Sequence, residues 1–197
     1  ALDIKNNLLG VCDQMYLFEP GDDTTVCVLK AVKPKKVKLF TGPPTHKEDD
    51  AKVVHELMNN ADIRIVSGGT TSQIVARELG VEVKSSTEIY DKEVPPIAYI
   101  QGVDLVTEGV LTLSKTIDRL KSLSKSLDSD IFKAKDGASQ MAKLLYSASH
   151  IKLLVGRSLN IANAESSFQR DLELRLHVVG ELEKILVKLG KIVTVEY

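Results

Sequence analysis

The chain has 197 residues, of which 43% are hydrophobic and 27% are charged, and this balance is typical of a globular protein and excludes a disordered or collagen-like one. Its 26 Lys plus Arg and 27 Asp plus Glu leave a formal charge of −1, without the basic excess that nucleic-acid binding requires. We find neither a signal peptide nor an apolar run of roughly 18 residues, so we expect a cytoplasmic protein that does not contact membranes.

The first 33 residues predict a small helix-strand piece. Residues 1–18 place apolar side chains at helical spacing, and residues 24–32 are rich in β-branched side chains between turn signals. Lysines then surround Pro34, a pattern typical of a linker or an edge strand, so we predict a domain boundary near this residue. Because the first residue is not Met, we expect the chain to begin inside a longer gene product.

From residue 37 onward, short apolar strands alternate with amphipathic helices. The predicted strands are 37–40, 63–66, 81–83, 97–100, 103–106, 151–155, 172–176 and 192–196. The predicted helices are 47–60, 70–79, 109–127, 138–149 and 178–189, and a serine-rich exposed connection is expected over residues 123–135. This alternation predicts an α/β fold with a mostly parallel or mixed sheet and helices on both faces, in the manner of Rossmann-like domains.

The turns that follow the strands are candidate ligand sites, because ligands of open α/β sheets collect at the carboxyl ends of the strands. The turn after residues 63–66 combines two glycines, short hydroxyls and a helix start, which together can cradle an anion. Glu108 and Arg157 follow other strands. Glu108 could bind a ribose or an amine, and Arg157 could bind an anion. The predicted ligand-binding residues are therefore Ser67, Gly68, Gly69, Thr70, Thr71, Ser72, Glu108 and Arg157.

These residues also have simpler interpretations. The glycines could make a tight turn with Thr70 or Thr71 as the helix N-cap, while Glu108 and Arg157 could be solvated turn residues. Neither the dinucleotide-binding nor the triphosphate-binding glycine motif is present.

Asp22 and Asp23 form a pair of adjacent carboxylates just before the first predicted strand. Such carboxylates repel each other unless a cation balances them, and oxygen ligands of this kind suit Mg²⁺ or Mn²⁺. The alternative is an Asp pair that caps a turn.

The helix followed by Pro-Gly-Asp-Asp-Thr-Thr-Val resembles the end of the catalytic domain in metal-dependent serine/threonine phosphatases, specifically the SpoIIE-like bacterial branch. The resemblance covers about residues 1–33. It implies that Asp22 binds the second metal ion, Mn²⁺ or Mg²⁺, and that Thr25 matches the hydroxyl residue that follows. The family's earlier Asp-Gly metal motifs have no counterpart here. From residue 37 onward the chain resembles an α/β extension found after such domains in some anaerobic bacteria, through Leu-Phe-Thr-Gly-Pro-Pro and Ser-Gly-Gly-Thr-Thr.

The leading hypothesis is therefore the C-terminal part of a SpoIIE-like phosphatase that acts on a phosphoprotein. Residues 1–33 would be the tail of the catalytic domain, inactive alone, and residues 34–197 a regulatory domain that binds a small anionic ligand. A free-standing α/β enzyme acting on a phosphorylated or carboxylated metabolite is one alternative, using Ser67–Ser72, Glu108 and Arg157. An interaction module that forms a homodimer through the helix at 109–127 is another.

Overall fold

The structure is a computed structural model that describes residues 2–19, 21–29, 31–124, 131, 133–158 and 165–197, with backbone alone for Leu2 and residues 165–170. It divides into two compact units, Ala1–Lys33 and Pro34–Tyr197. No helix in the described part of the chain is long and apolar enough to span a membrane.

The described residues of the first unit contain one regular element. Helix α1 (Leu2–Met15) forms as its apolar spacing predicts. The strand predicted over residues 24–32 is wrong for its described residues, which are neither helical nor paired into a sheet. β-Branched side chains favour a strand only where a neighbouring strand completes the ladder and offers a surface to pack on, and no sheet pairing reaches this segment.

The second unit is a sheet covered by helices. Its described strands are β1 (Lys36–Thr41), β2 (Ile63–Ser67), β3 (Lys84–Ser85), β4 (Ala98–Tyr99), β5 (Leu105–Thr107), β6 (His150–Val155) and β7 (Ile192–Glu196). Its described helices are α2 (Asp50–Met58), preceded by a 3-10 turn at Lys47–Asp49, then α3 (Gly69–Leu79), α4 (Val110–Leu123), α5 (Gly137–Ser147) and α6 (Glu165–Lys188).

The sheet is mixed, with strand order β3-β4-β5-β2-β1-β6-β7. Strands β5, β2, β1, β6 and β7 are parallel, and the β3–β4 pair adds an antiparallel edge. The predicted α/β fold is confirmed. Strand β1 lies between β2 on one side and β6 on the other, so the chain reverses its direction of travel across the sheet at this point. Such a reversal opens a crevice at the carboxyl ends of the strands.

The core lies on both faces of the sheet, because successive side chains of a strand point to opposite faces. Leu39 and Leu153 pack with the cluster that includes Leu113, Leu145 and Leu182 of α4, α5 and α6. On the other face, Phe40 and Val66 pack with residues of α2 and α3. Helices therefore cover both faces of the sheet, as the sequence predicts.

Two of the strands predicted in the second unit are wrong. Residues 172–176 lie inside α6, although Leu172, Leu174 and Leu176 alternate with polar residues as in a strand. The buried positions that follow in this helix, Val179 and Leu182, are three residues apart and belong to a helical stripe.

Residues 81–83 do not form a strand either. Gly80 ends α3 in the left-handed conformation, and the chain begins to pair only at Lys84. Leu123, at the start of the predicted exposed connection 123–135, is instead buried in α4. Residues 125–130 and 132 of that connection lie outside the described residues, as does the predicted end of the helix at 109–127.

Candidate functional site

Three hydroxyl residues form a row across the carboxyl ends of the neighbouring strands β1, β2 and β5. Thr41 is in register with Ser67, and Ser67 is in register with Thr107. All three are buried. The hydroxyls of Ser67 and Thr107 donate to the main-chain carbonyl of Glu108, at 2.8 and 2.9 Å. Thr41, in contrast, has no side-chain hydrogen bond to any described residue. The row separates the apolar core beneath it from a cavity above.

The glycine turn after β2 is held against the turn after β5. The Gly68 amide donates to the Thr107 carbonyl at 2.8 Å. Gly68 has φ +119°, a conformation that disfavours any residue with a Cβ, and its Cα approaches Gly109 closely. A Cβ on Gly109 would lie 3.7 Å from the Gly68 Cα, which is an ordinary van der Waals contact, so it is the backbone conformation of Gly68 that requires glycine here.

Helices α3 and α4 begin at these two glycines. Gly68 is the N-cap of α3 and Gly109 is the N-cap of α4, and no side chain caps either helix. The alternative in which Thr70 or Thr71 is the N-cap of α3 is therefore wrong. The first N–H groups of a helix have no intrahelical acceptor, and they carry the positive end of the helix dipole. Both helices thus present uncapped N–H groups at the same edge of the sheet.

A cavity of about 500 Å³ opens at this edge. Its lining comes from the ends of three strands, the starts of two helices and the described N-terminal part of α6. The lining residues are Thr41, Gly42, Pro43, Ser67, Gly68, Gly69, Thr70, Thr71, Pro95, Glu108, Gly109, Val110, Leu111, Asp171, Leu174 and Arg175.

Two threonine hydroxyls in this lining lack hydrogen-bond partners. Thr41 is 2% exposed and Thr71 is 1% exposed. Neither side chain makes a hydrogen bond within the described part of the chain. Neither hydroxyl is among the fully enclosed side-chain atoms that lack a partner, so both open onto the cavity, where solvent or a ligand can accept or donate. A ligand in the cavity would supply the missing partner.

Arg175 brings a guanidinium to the cavity from α6. Its Nη1 donates to the Gly156 carbonyl at 3.1 Å. Burial lowers the pKa of this guanidinium, and the charge of Asp171, one helical turn earlier, partly offsets that effect. An arginine has five N–H donors, and this is its one hydrogen bond to a described residue, so most of its donors remain available to a ligand.

Gly42 makes room for this arginine, and Gly156 makes room for the turn that contains Gly42. A Cβ on Gly42, which has φ +80°, would lie 2.5 Å from Arg175 Nη1. A Cβ on Gly156 would lie 2.1 Å from the Pro43 carbonyl oxygen. The β1 and β6 turns thus approach backbone to backbone, with the guanidinium resting on them.

Six of the eight residues predicted to bind a ligand line this one cavity. They are Ser67, Gly68, Gly69, Thr70, Thr71 and Glu108. The other two do not line it. Ser72 is buried inside α3, where its hydroxyl donates to the Gly68 carbonyl at 2.8 Å. The guanidinium of Arg157 lies 4.3 Å from the centre of the Tyr197 ring, beside a separate crevice.

That separate crevice, of about 280 Å³, borders a network of ion pairs through Glu56 and Glu196 of its lining. Glu56 Oε1 lies 2.6 Å from Lys38 Nζ and 2.9 Å from Lys152 Nζ, and Lys152 also reaches Glu196 at 2.7 Å. The hydrogen bond from Lys38, helped by Lys152, lowers the pKa of Glu56 to about 2. The network joins α2 to β1, to β6 and to the end of β7, and this role explains Glu56 and Glu196 in the lining without a ligand.

Three polar side chains in the lining of the cavity were not predicted to contact a ligand: Thr41, Asp171 and Arg175. A helical interpretation of residues 171–186 could have found Arg175, because it stands four residues before Val179 and seven before Leu182, on the buried stripe. The leucine alternation at 172–176 concealed this periodicity.

The Asp22–Asp23 pair is exposed, and the Asp23 amide donates to Asp22 Oδ1 at 2.8 Å, which is the local turn contact of the simpler interpretation. Within the described ranges, no group of three or more His, Cys, Asp or Glu residues is placed to hold a metal ion. The role of Asp22 and Asp23 with Mn²⁺ or Mg²⁺ stays a prediction about a larger domain.

Comparisons of this chain with protein-family models, with curated proteins and with solved structures found no match.

Proposed function

We propose that residues 34–197 form a binding domain for a small anionic ligand, which occupies the 500 Å³ cavity at the ends of β1, β2 and β5. The observation that carries the proposal is the convergence of two helix N-termini without side-chain caps and one guanidinium on this cavity. Each of these groups favours negative charge.

The buried hydroxyls support the same assignment independently of the helices. Thr41 and Thr71 lie on different elements, yet both line the cavity and both lack a partner among the described residues. An anion accepts hydrogen bonds, so it satisfies hydroxyls, amides and guanidinium together.

The test is a thermal unfolding experiment on the full chain with a panel of phosphates, nucleotides and carboxylates. A ligand at 100 times its Kd stabilises the native state by about 2.7 kcal/mol, which raises the melting temperature of a domain of this size by about 5 to 10 °C. We expect a rise that depends on concentration for at least one class of anion.

Two variants connect that rise to the cavity. A Cβ on Gly69 meets only Glu108 Oε1, at 3.8 Å, so Gly69→Val should fold normally while its side chain covers the N-terminus of α3. Arg175→Met should keep the packing but remove the charge. Both should abolish or strongly reduce the shift. Gly180→Ala is the matched control, because no atom lies within 4 Å of its Cβ. An absent shift across the panel, or an equal shift in both cavity variants, would overturn the proposal.

A second proposal concerns the first unit, and its support is the surface of α1. Ile4, Leu8, Val11 and Met15 repeat at spacings of four, three and four and are 48–78% exposed. A stripe of this kind normally packs against a core. We infer that residues 1–33 belong to a larger domain, for which the SpoIIE-like phosphatase tail is the leading candidate. The ligand-binding domain would then regulate that phosphatase by favouring one of its conformations.

The test of this second proposal is to join the chain to an upstream segment that carries the Asp-Gly metal motifs and to measure phosphoprotein hydrolysis with Mn²⁺. Activity that changes with an anion found in the thermal experiment supports regulation. An active fusion that is insensitive to that anion contradicts it.

A further inference from the structure

Two carboxylates line the same cavity as the anion-binding groups. Glu108 follows β5, and Asp171 lies on α6, one turn before Arg175. Within the described part of the chain, neither side chain forms an ion pair or accepts a hydrogen bond. Both are exposed to solvent. A simple anion would be repelled by these charges, so they indicate a ligand that also brings hydrogen-bond donors.

The number of donors in the cavity favours phosphate over carboxylate as the anionic group. The start of α3 supplies up to three N–H groups, Thr41 and Thr71 supply hydroxyls, and Arg175 supplies its free N–H groups. These donors exceed what a single carboxylate can use, whereas a phosphate monoester offers three strong acceptor oxygens and nearly two negative charges.

The remaining lining argues against a nucleobase. No aromatic side chain lines the cavity among the described residues, and its apolar surface consists of aliphatic residues such as Pro95, Leu111 and Leu174. Base recognition commonly uses aromatic stacking. Carboxylates beside short aliphatic side chains instead suit a compact, hydroxylated carbon chain.

We propose that the ligand is a phosphorylated polyol of the sugar-phosphate class, with its phosphate at the start of α3 and its hydroxyls donating to Glu108 and Asp171. This inference rests on the proposed function and specifies the ligand of the same cavity. Glu108 is the discriminating residue: a Cβ built on Gly69 would lie 3.8 Å from its Oε1, so it stands directly beside the N-terminus of α3.

The experiment compares two ligands by calorimetry on the full chain. Glycerol 3-phosphate and propyl phosphate have the same chain length and the same phosphate, and they differ by two hydroxyls. We expect glycerol 3-phosphate to bind at least about tenfold more tightly, as the loss of one hydrogen bond to a charged group would cause. Inorganic phosphate and serine serve as further probes.

The variant Glu108→Gln separates recognition from a structural role. It removes one negative charge, so inorganic phosphate should bind equally well or more tightly, while the preference for glycerol 3-phosphate should fall severalfold. Asp171→Asn should act in the same direction. A structural defect would instead weaken both ligands.

Three results would overturn this inference. Equal binding of propyl phosphate and glycerol 3-phosphate would leave an anion site without polyol recognition, and the proposed function would stand. Binding of serine but not of phosphates would mean that the anionic group of the ligand is a carboxylate and not a phosphate. Failure of every phosphate and carboxylate to bind would overturn the proposed function as well.

Discussion

Replacing Gly156 by alanine tests the close approach of the β1 and β6 turns that supports the cavity. The Gly156 amide donates to the Thr41 carbonyl at 2.9 Å, which continues the parallel pairing beyond the strands. The added Cβ would lie 2.1 Å from the Pro43 carbonyl oxygen and 2.3 Å from the Gly42 carbonyl oxygen. Carbon and oxygen atoms rarely approach closer than about 3.3 Å, so the two turns must separate by about 1 Å.

The expected loss of stability follows from that displacement. Overpacking in a well-packed region costs about 1–3 kcal/mol, and here the obstructing atoms are main chain and cannot rotate away, so we expect about 3 kcal/mol or more. With a urea m-value of about 2 kcal/mol/M, the unfolding midpoint should fall by about 1.5 M.

The assay is urea unfolding followed by far-UV circular dichroism, with Gly180→Ala as the control. Gly180 lies inside α6 with no atom near its Cβ, so the same chemical change should stabilise the chain by about 0.5–1 kcal/mol. The two substitutions therefore have opposite expected signs. A Gly156→Ala variant within about 0.5 kcal/mol of the unmodified chain, which is the range of ordinary surface substitutions, would refute the reasoning.

Three further predictions concern other parts of the chain. The pKa of Glu56 is lowered to about 2 by Lys38. The ionised carboxylate therefore stabilises the folded state fully above pH 4.5, and this contribution is lost as the pH falls toward 2. Because this carboxylate is partly exposed, the loss should be about 1 kcal/mol in urea unfolding at pH 6 and pH 3, and it should be absent in Glu56→Gln. Asp136 accepts from the Ser139 amide at 2.9 Å and caps α5, so Asp136→Ala should cost about 1–2 kcal/mol in the same assay, and Asp136→Asn should restore most of it. The chain alone should not hydrolyse p-nitrophenyl phosphate with Mn²⁺, because one exposed carboxylate pair gives too few ligands for two ions; hydrolysis abolished by Asp22→Ala would contradict this.

Local patterns were sufficient for the fold class and for the position of the glycine turn. Short runs rich in β-branched residues, such as Ile-Arg-Ile-Val at 63–66, predict strands when turn residues bound them, whether or not the partner strands are known. A glycine pair between a strand and a helix predicts uncapped N–H groups in the same way. These features depend on interactions within a few residues. The turn at Gly68 and the start of α3 at Gly69 therefore lie where the sequence predicts them.

Interactions between distant segments decided the rest. The strand over 24–32 needed a neighbouring strand, which the described residues of this unit do not supply, and β-propensity could not replace it. The positively charged side chain at the cavity is Arg175 and not Arg157, although only Arg157 follows a strand directly. Strand order determines which turns meet, and helix packing determines which side chain of α6 points toward them. The paired strand ends Thr41, Ser67 and Thr107 lie tens of residues apart in the chain, and Arg175 lies more than a hundred residues from Gly42; no local periodicity records such contacts.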